Sequence, residues 1–350
     1  MSSVVKVGII GIGFMGSTHF RIYQGLEKAK ITAIADIDPK KISGDWSQII
    51  GNIGDGDNNQ PIDLEGINAY ENALDLINDP TVDLVDICLP TYLHKEFILA
   101  ALKAGKHVLS EKPIALNSEE VERILNEAKK TDSFFTTGMC VRYWPEYQHA
   151  YETYSSGKLG SVKSATFKRY SGNIDGNAWQ NWFMNPKLSG GAILDLHIHD
   201  VDIVRYFFGR PRKVTAFALE NHRSKHGIDQ VMARFDYEDG SLITAEGGWS
   251  AATQVPFEMS FQIICEKGTI HLSSVGYKIY YEDGNVEEPQ VANPALPTGW
   301  HVEIDYVLSC ILNGSKPEKI IKLEEMKDAV SIVEAENISI NEARAVVINY

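Results

Sequence analysis

The sequence predicts an α/β chain of two domains, a doubly wound parallel sheet over residues 1–140 and an α+β domain with a mainly antiparallel sheet over residues 141–350. Three observations carry this. Short apolar runs alternate with helical periodicity through the first 140 residues, a glycine-spaced turn follows the first run, and hairpin-joined strand candidates dominate after Gly138. A chain of 350 residues is also too long for one ordinary small domain and comfortable as two.

The elements follow in order. Val4–Ile10 is a compact apolar run, and the Gly-rich turn after it leads into a helical stretch from Phe14 to Glu27. Ile31–Ala35 reads as the second strand, ending at Asp36, and Pro39 starts another helix because its fixed φ suits a first helical turn. Leu84–Leu89, Val108–Leu109 and Phe134–Thr137 read as buried strands, separated by helical patterns over Tyr92–Ala104 and Ser118–Lys130. Strands alternating with helices form parallel β-α-β units. Asn52–Gly66, dense in Gly, Asp and Asn, interrupts this rhythm and reads as an irregular surface insertion.

Trp144–Ser156 reads as a connecting helix, stopped near Gly157 and Gly160. Strand candidates then run over Ser161–Tyr170, Lys213–Leu219, Gln230–Tyr237, Ser241–Trp249, Glu258–Cys265 and Thr269–Leu272. Glu238-Asp239-Gly240 joins two of them as a hairpin, so the sheet is antiparallel. Ala192–Phe208, His301–Leu312 and Glu324–Ala335 supply helices.

Composition narrows the function classes. Apolar residues make up 44% and charged residues 23%, the balance of a soluble globular protein. A formal charge of −14, from 47 acidic against 33 basic residues, repels nucleic acid and anionic membranes, so neither is an expected partner. No apolar run approaches the ~18 residues of a membrane span, and the N-terminus runs into a strand without signal-peptide architecture. Cys88, Cys140, Cys265 and Cys310 are scattered and form no C-x-x-C pair, which suits reduced thiols and a cytoplasmic location.

Gly11-Ile12-Gly13-Phe14-Met15-Gly16 has G-x-G-x-x-G spacing between a predicted strand and a predicted helix, the context that gives the motif physical meaning. Gly11 permits the tight turn, Gly13 lets the backbone approach a pyrophosphate, and Gly16 allows close helix–strand packing. Asp36 stands 20 residues after Gly16. A carboxylate there accepts hydrogen bonds from adenosine ribose hydroxyls and repels a 2′-phosphate, so NAD is expected over NADP. The alternative is that Asp36 caps the helix starting at Pro39, a task Asp38 can equally perform. Leu89-Pro90-Thr91 with His94, and Glu111-Lys112-Pro113, follow the fourth and fifth strands, at the edge where ligands lie in such sheets.

Together with Ala104-Gly105-Lys106-His107-Val108, Arg142 with Pro145, and the run from Gly190-Gly191 through Asp195, His199 and Asp202, these motifs resemble the glucose–fructose oxidoreductase and inositol dehydrogenase family, often called Gfo/Idh/MocA. The resemblance runs nearly end to end; only the insertion at Asn52–Gly66 departs from the commonest pattern. It implies an N-terminal Rossmann domain, and a C-terminal substrate domain on an open sheet that assembles a homodimer or homotetramer. It further implies that Lys112 and His199 face the nicotinamide and the substrate with Asp195 nearby, and that a cis peptide precedes Pro113. The expected cofactor contacts are Gly11, Gly13, Phe14, Met15, Gly16, Asp36, Pro90, Thr91, His94, Glu111 and Lys112.

The chemistry is consistent with this on its own terms. Oxidising an alcohol requires a hydride to leave carbon while a proton leaves oxygen. A neutral imidazole, with an unperturbed pKa near ~6.5, suits that proton. On a continuous helix Asp195 and His199, four residues and ~400° apart, share a face that Asp202 also reaches, while His197 and Asp200 point elsewhere. Asp195 then orients His199 as the proton acceptor, and Lys112 assists by binding the hydroxyl. Arg142 is either a substrate ligand or a salt-bridge former at the domain junction. Trp179, Trp182 and Tyr143 line a sugar pocket or pack the core, and His94 either caps its helix or approaches the cofactor. Asp-x-His-x-His looks superficially like metal ligation, yet no Cys or Glu completes a set and hydride transfer to NAD needs no metal, so none is expected. The function expected is NAD-dependent oxidation of a hydroxyl on a sugar or cyclic polyol. The alternatives are a keto-sugar reductase, a redox-neutral NAD-dependent glycosidase and a non-enzymatic NAD-sensing regulator.

Overall fold

A computed structural model describes residues 4–49, 51, 61–176, 178–315 and 321–350. The chain divides into two compact units, residues 1–138 with 300–326, and residues 139–299 with 327–350. Among the described residues no helix is long and apolar enough to cross a membrane.

The first unit runs β1 (Val5–Ile10), α1 (Phe14–Gln24), β2 (Ala29–Ala35), α2 (Pro39–Ile42), β3 (Asn68–Tyr70), α3 (Ala73–Ile77), β4 (Leu84–Ile87), α4 (Thr91–Lys103), β5 (His107–Ser110), α5 (Ser118–Ala128) and β6 (Phe135–Thr137). Its sheet has the order β3-β2-β1-β4-β5-β6, every pair parallel. The order reverses between β1 and β4, which opens a crevice beyond their carboxyl ends where this topology binds ligands. Side-chain caps start the crossover helices: Asp38 accepts from the Lys40 N–H, Asn72 from that of Leu74 and Asn117 from that of Glu120. The short, mostly exposed β3 carries no apolar alternation and is not anticipated from sequence. Of the irregular insertion, residues 52–60 lie outside the described residues; beyond them the Ile62 N–H donates to the Gly44 carbonyl at 2.9 Å.

The second unit contains α6 (Pro145–Ser155), β7 (Val162–Gly172), α7 (Pro186–Ser189), α8 (Gly191–Asp195), α9 (Ile198–Phe208), β8 (Lys213–Glu220), β9 (Ile228–Asp236), β10 (Leu242–Ala251), β11 (Glu258–Cys265), β12 (Gly268–Ser273), β13 (Gly276–Tyr281), β14 (Val286–Glu287), α11 (Leu323–Glu342, of which residues from Lys327 belong here) and β15 (Val346–Val347). The sheet order is β14-β13-β12-β11-β7-β10-β9-β8-β15. It is mixed: β7 and β10 pair in parallel, and the other pairs are antiparallel. The expected α+β architecture is present, and helices α8 and α9 lie against β7, β9 and β10.

Two expectations change. Helix α10 (Gly299–Asn313), read with the second domain from sequence, belongs to the first unit almost throughout. Its Ile304, Val307 and Leu308 are buried in one core cluster with Ile9, Phe20 and Trp46, because that is where its apolar stripe finds a partner. The single helix expected over Ala192–Phe208 is two, α8 and α9, broken at Leu196-His197. The His197 N–H reaches back five residues to the Ala192 carbonyl at 2.9 Å, a wider turn than an α-helix makes.

The segment around that break is buried and charged. Asp202 takes a bidentate pair from Arg142, at 2.7 Å to each oxygen, and the Arg142 guanidinium stacks 4.6 Å from the Tyr206 ring centroid. Asp200 takes Arg169 at 2.8 and 3.1 Å. Removing one member of such a pair strands the other charge in the interior. Arg142→Ala is therefore expected to destabilise the second unit by about 3–5 kcal/mol, read as an earlier urea midpoint. An unmoved unfolding transition would show that the pair does not hold this unit together.

Candidate active site

The turn after β1 is built by glycines. Gly11 adopts φ +87°, and a Cβ there would lie 2.7 Å from the Cys88 carbonyl oxygen. A Cβ on Gly16 would lie 2.0 Å from the Gly11 carbonyl oxygen, so α1 crosses the turn at a distance only glycine allows. Gly13 is the opposite case. Among the described residues, a Cβ built on it meets nothing within 4 Å, and as N-cap of α1 it offers no side-chain cap, with no acidic residue in the first turn. Helix N-terminal N–H groups, here those of Phe14, Met15 and Gly16, thus begin beside open space: a cradle that fits a pyrophosphate.

Asp36 stands at the end of β2 as a nearly buried carboxylate. Its Oδ2 accepts from the Ile12 N–H at 2.7 Å and lies 3.4 Å from the Lys41 ammonium, while its Oδ1 accepts from the Asp38 N–H at 2.9 Å. Asp38, not Asp36, caps α2. A carboxylate offers about four acceptor sites, so Asp36 retains capacity for a ribose hydroxyl.

Beyond β4, Pro90 is the N-cap of α4 and Thr91 is buried at its first position. His94 is buried too, with Nδ1 2.7 Å from the Pro113 carbonyl oxygen and Nε2 2.7 Å from that of Leu89. Burial pushes its pKa below the ordinary imidazole range, against the opposing pull of the two carbonyl contacts. Its nitrogens join the turn after β4 to the turn after β5. The Lys112–Pro113 peptide is cis, as the resemblance implied. Glu111 is likewise buried beneath this turn: its Oε2 accepts from the Lys112 N–H at 3.2 Å and its Oε1 lies 3.4 Å from His19 Nε2.

In the second unit, Asp195 is the last residue of α8 and His199 the second of α9, at 7% and 8% exposure. The continuous helical face expected to join them with Asp202 does not exist, because the break intervenes and Asp202 is paired with Arg142. Arg142, with its side chain 0% exposed, forms the salt bridge to Asp202. His197 meets Glu336 of α11 at 3.2 Å, so His197 and Asp200 do point elsewhere. Tyr143 is core, Trp182 stacks on Phe183 with centroids 4.1 Å apart, and Trp179 is 44% exposed.

Sequence reasoning missed His19, Tyr23 and Asp86. Asp86 is fully buried in β4, accepting from the Tyr23 hydroxyl at 2.9 Å and lying 2.8 Å from His19 Nδ1. The signal was available: an Asp inside the apolar run Leu84–Leu89 demands buried partners. His19, Asp86 and Cys88 bring ligand-type atoms within 4.8 Å of one another. Burial and Asp86 push the Cys88 thiol well above its ordinary range, so it stays a neutral donor to Asp86 in a hydrogen-bonded network.

A doubly wound sheet with an open anion cradle at its first crossover and a carboxylate ending its second strand defines a dinucleotide-binding oxidoreductase. Residues 5–139 match the model of the GFO_IDH_MocA oxidoreductase family with its NAD-binding Rossmann fold, and residues 147–271 match the GFO/IDH/MocA C-terminal domain. The chain is 29% identical over 276 residues to myo-inositol 2-dehydrogenase of Thermotoga maritima, covering 77% of this chain and 76% of that protein. It is 31% identical over 280 residues to inositol 2-dehydrogenase/D-chiro-inositol 3-dehydrogenase of Lactiplantibacillus plantarum, covering 78% of this chain and 72% of that one. Its fold matches levoglucosan dehydrogenase, solved with NADH and levoglucosan, with a TM-score of 0.82 at 20% identity over 99% of this chain and 100% of that one. The chain belongs to the Gfo/Idh/MocA family, and it is an NAD-dependent oxidoreductase.

The two glycines separate fold from binding. Gly13→Ala, at an ordinary φ of −90° with open space before it, is expected to leave the melting temperature nearly unchanged and to weaken NADH binding about tenfold or more. Gly16→Ala is expected to lower the melting temperature itself. Fluorescence titration of NADH with each variant checks both; full-strength binding by the Gly13 variant would refute the cradle.

Proposed function

We propose that this enzyme oxidises a secondary hydroxyl of a sugar or cyclic polyol to the ketone, with Lys112, His199 and Asp195 as the residues that act on the substrate. The observation that carries the reading is the combination of the Gly13 cradle with the family's Lys112 and Asp195/His199 positions, all present in this chain. Inositol and levoglucosan dehydrogenases among its relatives and structural neighbours support the substrate class.

Gly11, Gly13, Phe14, Met15, Gly16 and Asp36 hold the dinucleotide, with Pro90 and Thr91 at the neighbouring strand end. Bound NAD supplies the hydride acceptor. Lys112 donates a hydrogen bond to the reacting hydroxyl and stabilises the negative charge that grows on its oxygen. His199, as a neutral imidazole, takes the hydroxyl proton, and Asp195 stabilises the imidazolium that results. Trp179 offers an apolar ring face to the substrate. Arg142 acts at one remove, by fixing Asp202 and with it helix α9.

Asp36 makes NAD the preferred cofactor, because a 2′-phosphate would meet its carboxylate. The four cysteines are free thiols, which suits a cytoplasmic enzyme. The open face of the second sheet carries Phe217, Met232 and Leu242 at 69%, 53% and 54% exposure, and association into a homodimer or homotetramer would cover them.

NADH absorbance with a panel of inositols, aldoses and alditols at mildly alkaline pH tests the function. Sustained NADH formation with one substrate class is expected; silence across the panel, with NADH still bound, would favour a keto-reductase or a redox-neutral reaction. Lys112→Ala and His199→Ala should each lower kcat by about 10²–10⁴-fold while NADH binding persists; turnover within a few-fold of the parent would overturn the catalytic assignment. Asp36→Ala should cut the preference for NAD over NADP by about tenfold or more.

A further inference from the structure

The first unit buries a charged cluster that the hydroxyl chemistry does not itself use. His19, on the inner face of α1 and 0% exposed, stands between two carboxylates. Its Nδ1 is 2.8 Å from Asp86 Oδ2, and its Nε2 faces Glu111 Oε1 at 3.4 Å, both of these last atoms being buried without a hydrogen-bond partner. The surrounding groups come from four elements. Tyr23 on α1 donates to Asp86 at 2.9 Å, and Cys88 just past β4 donates to Asp86 at 3.5 Å. Lys112 adjoins Glu111 in the turn after β5, and Glu303 of α10 reaches Tyr23 with its charge.

A neutral imidazole carries one N–H and would leave one of the two carboxylates facing a lone pair; an imidazolium donates to both. We infer that His19 is a buried imidazolium that ties Glu111 to helix α1, offsets its charge and so serves as a positioning residue for Lys112. The inference rests on the role proposed above for Lys112. Without that cation, the Glu111 carboxylate would compete with the substrate hydroxyl for the neighbouring Lys112 ammonium, and every proton in the vicinity would be held more tightly.

The balance of forces agrees with the geometry. Burial opposes charge on His19, but Asp86 beside it prevails and holds its pKa well above the ordinary range. Burial would raise Glu111, yet His19 and then Lys112 draw it below its ordinary value of 4.5. His19 therefore keeps its proton above the ordinary imidazole range, and Glu111 stays ionised below the ordinary carboxylate range. The stabilisation of the pair fades on the alkaline side as His19 deprotonates and on the acid side as Glu111 protonates.

Two measurements on the full-length enzyme test this, the first with NADH bound and the second with NAD as the hydride acceptor. In ¹⁵N-histidine NMR, the ring signals that vanish in His19→Gln should show two protonated nitrogens from about pH 6.5 to 8.5; a ring that titrates near the ordinary ~6.5 overturns the inference. This readout stands even if Lys112 proves not to be catalytic. The second is the pH profile of kcat/KM for hydroxyl oxidation, where His19→Gln should move the rise about one pH unit upward and lower kcat more than it changes KM. Glu111→Gln alone should move the rise downward, and the double variant should return it toward the parent position. A role in packing alone predicts lower melting temperatures with an unmoved profile, and that outcome overturns the inference. If His19→Gln does not fold, the Glu111→Gln profile decides the matter by the same criterion.

Discussion

Burying charge is the constraint on which most of this structure turns. Between Asp195 and Asp202 the second unit buries five ionisable side chains within eight residues, and three take partners from distant elements. Arg142 comes from the turn before α6, Arg169 from β7 and Glu336 from α11. Each pair loses hydration, and only the right geometry offsets that loss. The segment is held at three points by such pairs, at the break at Leu196-His197 and beyond it. The residues proposed for proton transfer, Asp195 and His199, lie on either side of this break.

The first unit answers the same constraint differently. Its anion site is made from backbone N–H groups, which need no counter-charge and whose placement depends on how closely α1 crosses β1. Gly11 and Gly16 set that distance. Beneath the site Asp86 and Glu111 are brought inside and His19 lies between them. Binding by fixed dipoles and support by buried ions are thus layered one above the other, and helix α1 takes part in both.

This division explains what was legible in the sequence. The β1-turn-α1 unit, Asp36, the Glu111-Lys112-Pro113 turn and the hairpin of β9 and β10 depend on local chemistry: glycines where backbone must approach backbone, apolar runs of strand length, turn residues at fixed spacing. They were readable. The break between α8 and α9 was not, because the apolar period continues through it, and His197 at the break meets Glu336, 139 positions away. Arg142 carried two readings until Asp202, 60 positions away, supplied the pair. The parallel pairing of β7 with β10 and the transfer of α10 to the first unit are likewise long-range packing decisions, and no local pattern encodes them.

Asp36 shows how far one residue can join fold to specificity. In the expected role it is only a ribose acceptor at a strand end. In the structure its carboxylate also takes the Ile12 N–H, in the middle of the glycine turn, and the Asp38 N–H that leads into α2. The residue proposed to discriminate between cofactors therefore also fixes the turn proposed to bind the phosphates common to both. Replacing it by a neutral residue removes repulsion toward a 2′-phosphate and loosens the cradle in one step. A relaxed cofactor choice bought at this position thus carries a loss of affinity for either dinucleotide, unless the Ile12 N–H is given a new acceptor. Lys41, already 3.4 Å from Asp36, is placed to meet a 2′-phosphate but cannot replace the lost acceptor, because an ammonium only donates.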